Sequence, residues 1–280
     1  MGRYDEVTRQ ALADPEKFWA EQGEKLFWFR KWDKAVDRSR EPFYRWFVGG
    51  LTNMCYNAVD RHVAAGKGDR VAVIWESPET GLERKVTYRE LLDEVTAFAA
   101  VLRSHGVGKG DRVLIYLPMV PETMVAMLAC TRVGAVHTVV FAGFSIESLA
   151  DRIDDAGVKL VVCADGGLRK QKKVDLKGIT DKALALAKNK VPVVIVLDRG
   201  INPWQKVEGR DRTWAEEMAA HRGEKVECVP VESEHPLYML YTSGTTGKPK
   251  GVVRDTGGHA VAPACSMPMI YGTREGDVYF

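Results

Sequence analysis

The sequence predicts an α/β fold in which helices flank a mainly parallel β-sheet. Short, continuous apolar runs such as 158–163 and 191–197 have the composition of strands that are covered on both faces. Between such runs lie segments of about ten to fifteen residues with apolar positions at helical spacing, as helical crossovers between parallel strands require. Hydrophobic residues make up 45% of the 280-residue chain and charged residues 28%, which is typical of a soluble protein with a sizeable core.

Helix and strand signals follow one another along the chain. Asp14-Pro15-Glu16 has the composition of a helix start, with Asp as the N-cap and Pro at the first helical position. Thr87 and Glu90 form a capping-box pattern ahead of a helix that ends near Gly106, and Ser145 is the expected N-cap of a later helix. The predicted helices cover 91–102, 121–131 and 145–155, and the predicted strands cover 71–75, 113–117, 135–141, 158–163, 191–197 and 237–241.

The first sixty residues differ from the rest in composition. They are rich in aromatic and charged residues and show no regular strand alternation. We therefore predict a helical and loop-rich extension over 1–60, with its aromatic side chains packed on a neighbouring surface, and an α/β domain over 61–280. Residues 199–236 are polar and punctuated by Trp, Pro and Gly, and they predict a surface excursion.

Composition and terminal patterns narrow the functional class. A net charge of +2 does not indicate binding to nucleic acid by bulk electrostatics. The five cysteines are scattered without a C-x-x-C pair, which predicts buried free thiols in a reducing compartment and neither a zinc site nor a dithiol redox site. We expect no metal site and no tightly bound cofactor. The N-terminus has no secretory signal, Glu6 breaks a myristoylation pattern, and the most apolar stretch, 124–143, is too polar for a membrane span. We expect a cytoplasmic protein without membrane partners.

The strongest chemical signal is the segment 242–251, which directly follows the predicted strand 237–241. Its ten residues contain three glycines, hydroxyl side chains and two lysines, a composition suited to binding an anion. Glycines let successive backbone N–H groups converge on one oxyanion, hydroxyls add donors, and lysines add positive charge. In open α/β sheets, a loop at the carboxyl end of a strand lies where ligands bind.

The same segment is not a Walker A loop. That pattern requires Ser or Thr after the Gly-Lys pair, whereas Gly247-Lys248 is followed by Pro249. Proline has no N–H to donate, so the loop geometry must differ from that of a P-loop. A polar, flexible turn without function is the alternative interpretation.

At its full length, 241–251 resembles the phosphate-binding signature of the adenylate-forming superfamily, which includes acyl-CoA synthetases, luciferases and peptide-synthetase adenylation domains. Three further segments, 46–57, 139–145 and 251–259, resemble the acetyl- and propionyl-CoA synthetase branch of that superfamily. Within the last of these segments, Arg254-Asp255 together with Gly257-Gly258-His259 favours the propionate type. The resemblance extends over nearly the whole chain and implies the N-terminal part of a large adenylate-forming domain.

The resemblance implies a two-step reaction in which a short carboxylic acid is activated by MgATP and then transferred to coenzyme A. It implies that the triphosphate is cradled by Thr242, Ser243, Gly244, Thr245, Thr246 and Gly247. Lys248 and Lys250 would add charge, with Lys250 the expected catalytic contact and a solvated turn lysine the equal alternative for Lys248. His259 is a candidate for approaching the acid or the phosphates, with a structural role as the alternative. Arg254 and Asp255 could equally pair with each other at the surface.

For coenzyme A, the resemblance implies phosphate contacts from Arg169 and Lys172. Arginine suits bidentate binding of a phosphate. The family has a small residue and glycine between these two positions, whereas this chain has Lys170 and Gln171. A plain exposed basic turn is the alternative for this segment.

Two other functional classes remain open from the sequence. The family's chain continues well beyond residue 280, so we expect an incomplete AMP-binding domain whose remainder is encoded separately or is missing. A non-catalytic nucleotide-binding remnant or interaction protein is therefore the second hypothesis. An ATPase or kinase is the third, and Pro249 argues against it.

Overall fold

Within residues 3–242 and 250–280, which a computed structural model describes, helices surround a central seven-stranded sheet. The helices are α1 (Arg3–Ala13), α2 (Pro15–Gly23), α3 (Tyr88–Ser104), α4 (Pro121–Arg132), α5 (Ile146–Ala156), α6 (Leu176–Leu186), α7 (Trp214–Ala220) and α8 (Thr256–Met269). Two one-turn π-helices cover Tyr56–Asp60 and Val63–Lys67. The strands are β1 (Lys34–Asp37), β2 (Arg45–Val48), β3 (Leu51–Thr52), β4 (Val71–Ser77), β5 (Leu82–Thr87), β6 (Arg112–Tyr116), β7 (Val136–Val139), β8 (Leu160–Ala164), β9 (Gly167–Arg169), β10 (Lys172–Val174), β11 (Val193–Leu197), β12 (Asp211–Thr213), β13 (Val231–Glu232), β14 (Pro236–Thr242) and β15 (Lys250–Asp255).

The central sheet has the order β12-β11-β8-β6-β7-β14-β15 and is parallel except for the pair β14–β15. The crossover from β6 to β7 and those from β7 to β8 and β8 to β11 run in opposite directions along the sheet. Right-handed crossovers therefore place α4 on one face and α5 and α6 on the other. In agreement, α3 packs on α4 and α7, while α5 packs on α6. The predicted mainly parallel α/β sheet is confirmed.

The local helix signals also act as predicted. Asp14 accepts a hydrogen bond from the Lys17 backbone N–H at the start of α2. Thr87 and Glu90 form the reciprocal capping box of α3, which satisfies two backbone donors at once. Ser145 caps α5 through the Ser148 N–H. Among the described residues, no helix combines the length and the apolar character needed to cross a bilayer.

One predicted strand lies outside the central sheet, and other elements of the structure were not predicted from the sequence. The strand predicted at 71–75 is β4, but it belongs to a separate antiparallel hairpin with β5 and has largely accessible side chains. The prediction omits β15 and α8. Helix α8 contains Pro263 and Pro268, residues that normally end a helix, and tertiary packing overrides that preference.

The extension contains strands that its composition does not predict. β1 pairs with β2, and β3 pairs with β13 of the following domain. Strands of two to four residues are too short to show alternation, so the prediction of a helical and loop-rich extension did not include them. The expected aromatic packing does occur: Trp32 and Phe47 are buried against Val261 of α8.

The segment 199–236 is more than a surface excursion. It supplies the edge strand β12 and the helix α7, and Trp214 at the start of α7 stacks on Phe98 of α3. The sequence pattern does not reveal β12 because a charged residue, Asp211, occupies a core position in it. Asp211 is fully buried and pairs with Lys177 at 3.0 Å.

Candidate functional site

The carboxyl edge of the central sheet is where the topology predicts a ligand. Strand β6 has β7 on one side and β8 on the other, so the direction of strand addition reverses at this point. Open α/β sheets bind ligands in the crevice that such a reversal opens at the carboxyl ends of the strands. The glycine-rich loop follows β14 and the basic segment follows β8, and both therefore emerge at this same edge.

Strands β14 and β15 form the neck of the glycine-rich loop. Thr242 and Lys250 lie directly opposite each other in the antiparallel register, and both side chains are exposed. Lys250 forms no ion pair with any residue that the structure describes. The other predicted phosphate contacts, Ser243, Gly244, Thr245, Thr246, Gly247 and Lys248, lie outside the described residues. The sequence prediction did not include the return strand, although Val252 and Val253 carried a β-branched signal for it.

A hydrogen bond and a close backbone approach place this neck against α5. The Tyr241 hydroxyl donates a hydrogen bond of 2.7 Å to Oδ2 of Asp155. Burial and this carboxylate together raise the pKa of Tyr241. A Cβ atom on Gly251 would lie 3.3 Å from the Tyr241 ring and 3.6 Å from Asp155, so glycine suits this close approach.

The basic segment after β8 is a tight hairpin of β9 and β10. Arg169 and Lys172 are direct cross-strand partners, and both side chains are exposed. Lys170 and Gln171 form the two-residue turn with positive φ angles of 49° and 63°. Positive φ angles favour glycine, so the glycine that the resembling family has between these two positions forms such a turn with less strain than Lys170 and Gln171 do. The structure thus brings the two predicted coenzyme A contacts side by side.

Arg169 also approaches an aromatic segment that follows β7. Its guanidinium carbon lies 5.9 Å from the centre of the Phe141 ring, and Phe141 meets Phe144 edge-to-face at 6.0 Å. Phe141 is 61% exposed, a large fraction for a phenylalanine at a sheet edge. An exposed aromatic ring beside two basic side chains suits a ligand with a flat ring and phosphates. The sequence resemblance included this segment but assigned it no role.

His259 does not belong to this edge. Strand β15 runs antiparallel to the others, so its six residues, at about 3.3 Å each, carry the chain to the opposite edge before α8 begins. There His259 meets the Tyr238 hydroxyl at 3.4 Å and borders a cavity of about 260 Å³ lined by Trp19, Trp46 and Phe47. The structure therefore supports the structural alternative for His259. Asp255 caps α8 through the Gly258 N–H and forms no ion pair with Arg254, both of which are described residues.

The five cysteines are buried free thiols, as predicted. Cys55, Asp60 and Cys228 place one potential metal-ligating atom each within 4.8 Å of one another. However, the Arg132 guanidinium donates hydrogen bonds to both Asp60 oxygens at 2.8 and 2.9 Å. Burial alone would lower the pKa of Arg132, but the hydrogen bonds to Asp60 and the surrounding charges together raise it. The arginine supplies the cation that balances this carboxylate, so the cluster is an ion-pair core and not a metal site.

Comparison with known proteins yields two family-model matches that together account for most of the chain. Residues 60–280 match the family model described as AMP-binding enzyme. Residues 4–58 match the model described as acetyl-coenzyme A synthetase N-terminus.

Individual relatives have related names. The chain is 45% identical over 271 residues to acyl-CoA synthetase short-chain family member 3, mitochondrial, from Homo sapiens, which covers 96% of this chain and 39% of that protein. It is 45% identical over 277 residues to the propionate–CoA ligase of Escherichia coli, covering 99% of this chain and 44% of the ligase. The Salmonella typhimurium propionate–CoA ligase is 46% identical over 277 residues, with the same coverage of 99% and 44%. This chain thus spans about 40% of the length of these curated relatives.

Proposed function

Because this chain belongs to the AMP-binding enzyme family, we propose that it supplies phosphate-binding and coenzyme A-binding segments of an ATP-dependent short-chain acyl-CoA ligase. In this proposal residues 1–60 are the extension and residues 61–280 are part of the AMP-binding domain. The names of the bacterial relatives favour propionate as the acid, with acetate as the second choice.

The proposed reaction has two displacement steps. A carboxylate oxygen of the acid attacks the α-phosphorus of ATP, which enters as its magnesium complex, and pyrophosphate leaves. The sulfur of coenzyme A then attacks the acyl carbon of the adenylate, AMP leaves, and the thiol proton is released. Such chemistry depends mainly on positioning the reactants and on stabilising charge.

The residues divide between the two nucleotides. The loop from Thr242 to Lys248 cradles the β- and γ-phosphates through backbone N–H groups and hydroxyls, and Lys250 neutralises charge as pyrophosphate separates. Arg169 and Lys172 bind phosphate of coenzyme A, and Phe141 offers a ring for its adenine to stack on. ATP and coenzyme A act as substrates in this proposal, and the proposed reaction uses no tightly bound cofactor.

One observation supports this proposal most directly. The neck of the glycine-rich loop and the basic hairpin emerge at the same carboxyl edge, on strands that flank the reversal at β6. A ligase of this kind must hold two phosphate-bearing substrates near one acyl group, and this edge presents two separate anion-binding segments.

The test is acid-dependent exchange of pyrophosphate into ATP. Residues 1–280 are joined to the part of the Escherichia coli ligase that follows its matched segment, and exchange is measured with acetate, propionate and butyrate. We expect exchange that depends on the acid and is fastest with propionate. Lys250→Ala should lower the rate by about 100-fold or more, the size of effect seen when one group that stabilises transition-state charge is lost. Lys190→Ala, a matched exposed lysine on the opposite edge, should leave the rate unchanged.

The other two hypotheses give different results in the same experiment. Nucleotide binding without any exchange would favour a non-catalytic remnant or an interaction protein. Hydrolysis of ATP without an acid or coenzyme A would favour an ATPase. Full exchange by Lys250→Ala would remove that lysine from the mechanism.

A further inference from the structure

Arg152, on α5, is a buried guanidinium without a carboxylate partner. The residue is 4% exposed, and its Nη1 atom donates a 2.6 Å hydrogen bond to the backbone oxygen of Ser148. No carboxylate of the described residues lies within ion-pair distance, and residues 1–2 and 243–249 contain no Asp or Glu. Buried charges are ordinarily paired, so an unneutralised arginine in this position requires a reason.

Two aromatic rings take the place of a carboxylate. The guanidinium carbon lies 4.6 Å from the centre of the Phe144 ring and 5.1 Å from that of Tyr241. A desolvated cation is attracted to the faces of such rings, and arginine also stacks on them through its planar group.

One of these rings belongs to the neck of the glycine-rich loop, and the other belongs to the aromatic segment after β7, beside the basic hairpin. Tyr241 directly precedes Thr242 at the neck of the glycine-rich loop, and its hydroxyl is bound by Asp155, one turn along α5 from Arg152. Helix α5 therefore holds Tyr241 by its ring and by its hydroxyl. Phe144 contacts Phe141, which in turn lies beneath the guanidinium of Arg169. These contacts, which include the edge-to-face pair of Phe141 and Phe144, form one continuous chain from the basic hairpin to the neck of the loop, which we call the stack.

We propose that Arg152 is a positioning residue that fixes the neck of the glycine-rich loop, strands β14 and β15, relative to the basic hairpin of β9 and β10. Its guanidinium contacts both Phe144 and Tyr241, so a displacement of one of these two rings disturbs its contact with the other. Because no described carboxylate lies within ion-pair distance, its charge also adds to the positive field of the edge that is proposed to bind polyphosphate groups. The proposal rests on the proposed function for its ligands, but the stack itself is a property of this chain.

Hydrogen exchange on the 280-residue chain tests the stack without any assay of activity. Arg152→Gln removes the charge and the planar group, whereas Arg152→Lys keeps the charge alone. We expect both variants to accelerate exchange of the Tyr241 and Gly251 amides by about tenfold or more, because local opening of the neck becomes easier. Amides of β6 and β8 should keep their protection. Arg103→Lys, an exposed helical arginine, is the matched control. Unchanged exchange at the neck in both Arg152 variants would overturn the proposal.

A variant that fails to fold does not end this test. Phe144→Leu removes one ring of the stack from a side chain that is 39% exposed, and it should accelerate the same neck amides. Normal protection of the neck in folded Phe144→Leu would count against the proposal as directly as the arginine variants.

Kinetics of the joined ligase then distinguish positioning from a merely structural role. We expect Arg152→Lys to raise the KM for ATP and the KM for coenzyme A together, by about tenfold, since misplaced substrate-binding groups are costly. A lower melting temperature with both KM values unchanged would contradict the proposal. If hydrogen exchange at the neck amides accelerates in the Arg152 variants but the wild-type joined ligase forms no acyl-CoA, only the proposed function fails. If the wild-type joined ligase is active but hydrogen exchange at the neck amides is unchanged in the Arg152 variants, only the role of Arg152 fails.

Discussion

Single buried polar residues show how strongly the surroundings alter ordinary side-chain chemistry in this chain. His137 lies on β7, 5% exposed, with its Nδ1 atom lacking a hydrogen-bond partner within the described residues. Burial lowers the pKa of His137 to about 4, and the nearby His259 contributes in the same direction. The imidazole is therefore kept neutral by the fold, next to the Tyr238 ring.

The stability of the protein should depend on pH through His137. Between about pH 6.5 and pH 4 the unfolded chain binds a proton at this histidine and the folded chain does not. The free energy of unfolding therefore falls as the pH is lowered through this window, by up to about 3 kcal/mol from this group. Urea denaturation of the wild type and of His137→Gln at several pH values measures the difference. Identical pH dependence in the two proteins would show that His137 does not contribute.

At the scale of elements, the hairpin β9–β10 places the two proposed coenzyme A contacts on one surface. The sequence separates Arg169 from Lys172 by two residues, and only the turn at Lys170 and Gln171 places them side by side. Both cations are exposed, so ions in solution screen their attraction for a ligand. In the proposed complex, the exposed Phe141 ring would add an apolar contact that salt does not weaken.

Neutralising this hairpin should affect one substrate and not the other. In the joined ligase, we expect Arg169→Gln and Lys172→Gln each to raise the KM for coenzyme A by about tenfold, with the KM for ATP nearly unchanged. The effect should shrink at high ionic strength, because the wild-type contact is itself screened. Lys190→Gln provides the charge-matched control on the other edge. Equal changes in both KM values would indicate general disruption of the edge rather than a coenzyme A contact.

At the scale of the whole molecule, buried polar contacts join the extension to the α/β domain. Asp60 pairs with Arg132 at the end of α4, with side chains that are 16% and 5% exposed. Asn53 is fully buried and donates hydrogen bonds to the backbone oxygens of Thr131 and Val229. Since Val229 itself donates a backbone hydrogen bond to the Arg132 oxygen, these contacts tie the extension to one place in the α/β domain, the end of α4 and the segment before β13.

Breaking the Asp60–Arg132 pair should therefore destabilise the molecule as one unit. Asp60→Asn leaves a buried guanidinium without its counter-charge, and we expect a loss of about 3–5 kcal/mol in the free energy of unfolding. Urea denaturation followed by tryptophan fluorescence and by circular dichroism measures the loss. Replacing both residues, as in Asp60→Leu with Arg132→Met, should recover much of it because no unpaired charge remains. A single Asp60→Asn variant as stable as the wild type would contradict this role of the pair.

Local sequence signals determined the main helices and the parallel strands. Capping patterns such as Thr87 with Glu90 act within a few residues, and long apolar runs such as those of β8 and β11 can only be buried strands or helices. The composition of the glycine-rich loop is likewise a local signal and predicts anion binding, which stays a prediction. The strand β12 and the helix α8 were hidden, because a buried ion pair and two prolines contradict the usual preferences.

The chain by itself thus determined its class, its family resemblance and its two candidate anion-binding segments, since each depends on residues that are near one another in sequence. Only the tertiary structure decided which residues share a site. It placed Phe141, Arg152 and Tyr241 in one stack and sent His259 to the opposite edge, because strand order and direction set which ends of distant segments meet.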